Sequence, residues 1–125
     1  MLLIHATAGP SSIHGTGLFA REPIPAGALI WQLEHAVDRA VTKAELDGWP
    51  VDEQERLRNF IYIDIVTGLY VLCGDDARYM NHADAPNTRS VGNQTFASRD
   101  IFPGEELTCD YREFDAATRQ RLAGR

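Results

Sequence analysis

Residues 78–87 read RYMNHADAPN. Arg78, Tyr79 and Met80 have the character of a buried segment coming to its end. Asn81 and His82 follow as an adjacent pair. Ala83-Asp84-Ala85-Pro86-Asn87 is a turn, because proline and asparagine punctuate it. An Asn-His pair at such a junction is ordinarily loop chemistry, with its side chains bonded to local backbone. It gains a functional reading only from partners elsewhere in the chain.

Outward from this stretch, short apolar runs alternate with turns. Before it, Phe60 to Ile65 is rich in β-branched and aromatic residues and predicts a strand. Thr67-Gly68 predicts a hairpin turn, and Leu69 to Leu72 the return strand. Ala28 to Leu33 predicts a strand after the Pro25-Ala26-Gly27 turn. Thr42-Lys43-Ala44-Glu45 has the form of a capping box and predicts a short helix ending near Gly48. Asp52 to Arg58 is polar and helix-compatible. After the motif, Thr95 to Ser98 and Leu107 to Tyr111 predict strands on either side of the Pro103-Gly104 turn. The tail from Arg112 is polar and helical in composition. The sum is a mostly β, irregular α+β domain with one central helical insert at about 36–59 and a tail over 112–125. The expected organisation is a single domain over 1–125.

With 44% hydrophobic and 24% charged residues the composition is that of an ordinary globular domain. No stretch approaches the roughly 18 apolar residues of a membrane span, so no membrane partner is expected. The formal net charge of −6 argues against direct nucleic-acid binding and favours a basic partner. Cys73 and Cys109, with no CxxC, read as two buried thiols; no metal site is expected. Lys43 is the only lysine among the 12 Lys and Arg residues. Compositional bias explains that most simply, and avoidance of self-modification is the sharper alternative. An intracellular location is expected: cytoplasm for a bacterial host, nucleus for a eukaryotic one.

Four features stand in order on this frame: His14-Gly15-Thr16-Gly17, RYMNHADAPN, the Arg99–Leu107 turn (RDIFPGEEL) and Asp110-Tyr111. Together they resemble the SET-domain family of protein lysine methyltransferases, from about Ile13 to Phe114. The resemblance implies a β-clip-like fold of several small sheets, with a C-terminal pseudoknot that brings Asn-His and Asp-Tyr together. It implies S-adenosylmethionine as cofactor. Asn81 would hold its methionine end, and the His82 backbone would meet the adenine edge. His14, Gly15, Thr16 and Gly17 would offer backbone groups. Tyr70, Arg78 and Phe114 would line the same site. The partner implied is a basic protein or peptide bearing a target lysine, such as a histone-like tail or a ribosomal or DNA-binding protein. It would be laid along a strand edge beside the insert. A homodimer that completes the groove is a further expectation.

The chemistry explains these residue types. Methyl transfer from a sulfonium to an amine needs a neutral amine, yet free lysine has a pKa of about 10.4. A narrow apolar channel desolvates the ammonium and sets it beside a positive sulfonium, and both effects lower that pKa. Aromatic walls tolerate the cationic head. Phe60 and Tyr62, on one face of their strand by alternation, match channel-lining positions. Tyr111 matches the catalytic tyrosine, as an orienting group in preference to a base. Cys109, two residues earlier, replaces the Phe or Tyr that influences methyl number in relatives, so product multiplicity is open. Glu105 and Glu106 read as a solvated turn. Asp84 stands where many relatives carry a zinc-binding cysteine, and the tail has no cysteine. The competing reading is a non-catalytic SET-like peptide-binding or assembly module. Cofactor binding discriminates the two.

Overall fold

The structure is a computed structural model and describes residues 1–118. Its strands are short. In chain order they are β1 (Ala6–Pro10), β2 (Thr16–Ala20), β3 (Leu29–Gln32), β4 (Arg39–Val41), β5 (Ile61–Ile63), β6 (Tyr70–Leu72), β7 (Asn81–His82), β8 (Thr88–Val91), β9 (Gln94–Ala97) and β10 (Glu106–Cys109). They form three sheets with orders β1-β2-β10-β7, β3-β9-β8 and β4-β6-β5. Two helices, α1 (Lys43–Asp47) and α2 (Val51–Leu57), make up the insert between β4 and β5. The expected β-rich class with a central helical insert is the fold observed.

Local chemistry accounts for the elements the sequence announced. Thr42 accepts from the Glu45 backbone and the Glu45 side chain returns to Thr42, so the capping box forms as written. Gly68, Gly92 and Gly104 take positive φ at the strand turns, where a Cβ would be strained. Phe60 departs from the expectation. It lies in a 3₁₀ turn (Arg58–Phe60), and the strand begins one residue later. β1, β4 and β8 carried no legible signal. Ala-Thr-Ala-Gly-Pro and Thr-Arg-Ser-Val lack apolar alternation and are ordered by their neighbours.

The core is built from Leu18, Ile24, Ile30, Val71, Ile101 and Leu107, all essentially inaccessible to solvent. β10 is the hub. It pairs antiparallel with β2 and parallel with β7, placing Thr108 beside Asn81 and Cys109 beside His82. Asn87, at the end of the opening motif, holds the other side of the same strand. Its amide Nδ2 donates to the Glu106 carbonyl at 2.9 Å, and its Oδ1 accepts the Thr108 N–H at 2.9 Å. Thr88 Oγ1 adds a bond to the Thr108 carbonyl at 2.7 Å. The motif Asn81–Asn87 thus grips β10 at two points, with buried polar groups satisfied. The expected tail helix falls partly on residues 119–125, which lie outside the described residues.

Candidate active site

Asn81 is the centre of the first cluster. Its amide nitrogen lies 2.9 Å from Glu106 Oε2, 3.0 Å from the His14 carbonyl and 3.2 Å from Ser11 Oγ, and it reaches the Thr16 carbonyl at 3.4 Å. Ser11 Oγ also donates to the Glu106 carboxylate at 2.8 Å. The Asn-His motif, the His14–Gly17 loop and β10 therefore meet in one polar knot. Glu106 is part of that knot, in contrast to the solvated turn its neighbourhood in sequence implied. The knot also explains Gly17. A Cβ there would sit 2.5 Å from Glu106 Oε2, so glycine makes room for the carboxylate. Gly15 has φ +43°, and a Cβ on it would meet nothing within 4 Å, so the loop faces open space. Carbonyls and a carboxylate edging an open loop fit the ammonium-bearing methionine end of S-adenosylmethionine.

His82 links this cluster to Tyr111. The Tyr111 backbone N–H donates to His82 Nδ1 at 3.0 Å, so the imidazole proton resides on Nε2, which faces Asp84 Oδ1 at 3.2 Å. The imidazole also stacks at a tilt on the Tyr111 ring, centroids 5.2 Å apart. The Tyr111 hydroxyl donates to the Met80 carbonyl at 2.8 Å.

Behind Tyr111 lies a cavity of about 130 Å³. Phe60, Tyr62, Met80, Cys109, Tyr111 and Phe114 are among its lining residues. Tyr62 and Phe114 meet edge to face at 4.9 Å, and Tyr111 and Phe114 at 5.7 Å. An aromatic chamber with one anchored phenol is what a desolvated alkylamine would need. The SET-domain family model matches residues 15–112 of the chain.

The chain belongs to the SET-domain family. Histone-lysine N-methyltransferase 2B of Homo sapiens is 36% identical over an alignment of 115 positions that covers 82% of this chain and 4% of that protein. The H3 lysine-4 specific histone-lysine N-methyltransferase of Schizosaccharomyces pombe is 30% identical over an alignment of 118 positions that covers 83% of this chain and 12% of that protein. The chain thus spans only a small part of the length of these relatives. Among solved structures, ctPRC2 in an autoinhibited conformation bound to S-adenosylmethionine matches with a TM-score of 0.67 and 21% identity, over 97% of this chain and 17% of that one, a likeness of fold.

Within this SET domain the expected site residues divide. Asn81, His82 and the His14–Gly17 loop come together. Phe60, Tyr62, Cys109 and Tyr111 share the cavity. Arg78 and Phe114, expected beside the cofactor, also line that cavity. The Arg78 guanidinium donates to the Cys73 carbonyl at 3.0 Å and lies over the Phe60 ring at 5.5 Å. Tyr70 lines a second, wider hollow beside the insert, with Leu46, Val51, Glu55 and Ile63. Pairing decides this: Tyr70 sits between Val41 and Ile63 in the β4-β6-β5 sheet, away from β7. Ser11 and Glu106 were missed. Glu106 stands within the RDIFPGEEL motif, but its partnership with Ser11, 95 residues away, has no local signal. Among the described residues no group of three or more His, Cys, Asp or Glu side chains is placed to hold a metal ion, and no helix is long and apolar enough to cross a membrane.

Burial dominates the titration of the cavity walls. It pushes the Tyr62 and Tyr111 phenols well above their ordinary value, drives Cys109 up and raises Cys73 to about 12. Asp110 is held below the usual range by its hydrogen bond from the Arg112 guanidinium. For the raised groups the folded protein retains protons that the unfolded chain loses at about pH 8.5 for cysteine and about 10 for tyrosine. Their contribution to stability is therefore complete below that range and lost above it. Thermal melts are expected to show a midpoint insensitive to these groups up to about pH 8, falling steadily above about pH 9. A midpoint constant to pH 11 would contradict burial of these side chains.

Asn81→Ala removes the donor that joins the knot and leaves the Glu106 carboxylate short of a partner. The expected cost is about 2 kcal/mol of stability, with S-adenosylmethionine affinity falling by about tenfold or more. Calorimetric titration beside a urea melt separates the two effects. Retained affinity would remove Asn81 from the cofactor site.

Proposed function

We infer that this SET domain is an S-adenosylmethionine-dependent protein-lysine N-methyltransferase. The observation that carries the reading is the Tyr111 hydroxyl, fixed on the Met80 carbonyl inside an aromatic cavity next to the Asn81–Glu106 knot. S-adenosylmethionine, when bound, supplies a methyl group on a sulfonium. Asn81, His82 and the His14–Gly17 loop hold that cofactor. The cavity takes the lysine side chain. Its walls desolvate the ammonium and so favour the neutral, nucleophilic amine. Because the Tyr111 hydroxyl donates its hydrogen bond to the Met80 carbonyl, its oxygen lone pairs are free to accept an amine N–H and orient the amine. Tyr111 stays protonated across the neutral range, so its role is orientation and not proton abstraction.

The substrate is a basic peptide. The second hollow, about 470 Å³, shares Ile61 and Asp115 with the aromatic cavity and is lined by Glu55 and Arg58 among others, so peptide backbone in one hollow can feed a lysine side chain into the other. The net charge of −6 adds a general attraction. Simple strand addition to β5 is unsupported. Along that edge Ile63 N–H donates to Asp115 Oδ1 at 3.2 Å and Ile65 N–H to the Phe114 carbonyl at 3.1 Å, so the chain's own C-terminal segment lies there.

The test is incubation with S-adenosylmethionine and a panel of histone-tail and ribosomal-protein peptides, read by mass spectrometry, with calorimetric cofactor binding in parallel. Methyl increments on lysine support the enzyme. No increment and no cofactor binding would return the chain to a non-catalytic peptide-binding module.

A further inference from the structure

β1 is the outer strand of the β1-β2-β10-β7 sheet, and among the described residues no strand pairs with its free side. Two hydrogen bonds fix which groups point there. The Arg21 N–H donates to the His5 carbonyl at 2.9 Å, and the Ser11 N–H to the Gly15 carbonyl at 2.8 Å. Both pairs continue the β1-β2 register, which runs from Ala6 with Ala20 to Pro10 with Thr16. In an antiparallel ladder, bonded pairs alternate with unbonded ones. Thr7 and Gly9 therefore bond β2, while Ala6 and Ala8 turn their N–H and C=O outward. The residue opposite Ala6 obeys the same alternation: Ala20 sends its N–H away from β1, to the Glu105 carbonyl at 2.9 Å. Ala6–Pro10 carries no charge and no bulge, and its only proline is its last residue. Such an edge lacks the charges, bulges and interior prolines that keep strands from pairing.

We propose that β1 is the pairing edge of a two-fold dimer, its occupant a second copy of this chain. The edge is its own complement. Ala6-Thr7-Ala8 reads the same in both directions. Antiparallel pairing centred on Thr7 sets Ala6 of each copy against Ala8 of the other, and each such pair exchanges both of its main-chain bonds. Every outward group of Ala6 and Ala8 is then used. The two Thr7 side chains become a directly opposed pair on the solvent face, a favourable cross-strand match. Thr7 Oγ1 already accepts from Arg21 Nε at 2.7 Å, so its hydroxyl hydrogen is free to reach its counterpart. Ala6 and Ala8, opposite the buried Ala20 and Leu18, stay on the core face. The ends match crosswise as well. Exposed Leu3 precedes β1, and exposed Pro10 and Ile13 end and follow it, so the pairing brings the Leu3 end of each copy to the Pro10–Ile13 end of the other. Although each copy carries a net charge of −6, no charges meet along Ala6–Pro10. The contact uses the same patch on both copies and closes on itself. It joins two four-stranded sheets into one and removes both free β1 edges. No residue of β1 lines the aromatic cavity, so both cavities stay open in the pair.

Two variants decide it. Ala8→Pro deletes an outward N–H that β2 does not use, and proline is tolerated on an edge strand in that orientation. Thr7→Cys sets two thiols at the two-fold, where directly opposed unbonded residues have Cα atoms about 4.5 Å apart, within disulfide reach. Cys73 and Cys109 are buried and do not compete. Sedimentation equilibrium at up to about 1 mM is expected to show a monomer–dimer equilibrium in the wild type, with Kd weakened about tenfold or more in Ala8→Pro. With glutathione disulfide as oxidant, Thr7→Cys is expected to form the cross-linked dimer about tenfold or more faster than Val66→Cys, which sits exposed between β5 and β6. A wild type that stays monomeric overturns the proposal. So does a folded Ala8→Pro that dimerises as tightly as the wild type, or a Thr7→Cys that cross-links no faster than Val66→Cys. If circular dichroism shows that Ala8→Pro does not fold, the wild-type mass and the cross-linking rates still decide.

Discussion

Tyr111→Phe is expected to lower methyl transfer by about 10²-fold or more, with S-adenosylmethionine affinity close to wild type. The substitution deletes one oxygen and little else. The ring stays against Phe114 and His82, and the Tyr111 backbone N–H remains on His82 Nδ1 at 3.0 Å. What is lost is the bond to the Met80 carbonyl and, with it, the fixed oxygen that would turn the amine. One part-buried hydrogen bond accounts for about 1 kcal/mol of stability, so the variant stays folded. Initial rates by mass spectrometry, beside circular dichroism and calorimetry, provide the measurement. A variant as fast as the wild type would remove Tyr111 from the chemistry. A variant that neither folds nor binds cofactor would show that the hydroxyl serves the scaffold.

Gly74→Ala is expected to be strongly destabilising. A Cβ at Gly74 would fall within 2.6 Å of the Val37 carbonyl carbon and closer still to its oxygen. Those are backbone atoms, which cannot rotate aside. The approach is tight because the Gly74 N–H donates to Asp38 Oδ1 at 2.9 Å. Asp38 is buried, and its other oxygen accepts the Glu34 N–H at 3.0 Å. Parting the two segments would leave a buried carboxylate under-bonded. The expected loss is about 3 kcal/mol or more. At about 4 °C per kcal/mol for a chain of this size, the melting midpoint falls by more than about 10 °C. Scanning calorimetry tests this. A loss under about 1 kcal/mol would mean that the 34–38 turn yields readily. Cys73, the preceding residue, lines the aromatic cavity, so the same change should also weaken methyl transfer.

The residues at these two positions differ in how they could be found. Tyr111 is legible in the sequence because it ends a motif series whose order is itself informative. Gly74 is not, because its constraint is a carbonyl 37 residues earlier in the chain. The same contrast runs through the site. Asn81 and His82 drew notice as an odd pair before a turn. Glu106, the carboxylate that accepts from the Asn81 amide, looked like one more charge beside Pro103-Gly104. Phe114 and Arg78, expected beside the cofactor, line the aromatic cavity. Tyr70 lies in a different hollow.

By itself the sequence determined the β-rich class, the turns, the Thr42–Glu45 capping box and the four motifs in order. Each of these is written within a few residues, in strand period, glycine and proline placement or side-chain reach along one helical turn. Only the tertiary structure decided which of those residues meet. The Asn81 amide finds Ser11 across 70 residues, and Ser11 finds Glu106 across 95. Contacts of that kind are set by strand pairing and register, and a shift of one residue would turn every side chain to the other face.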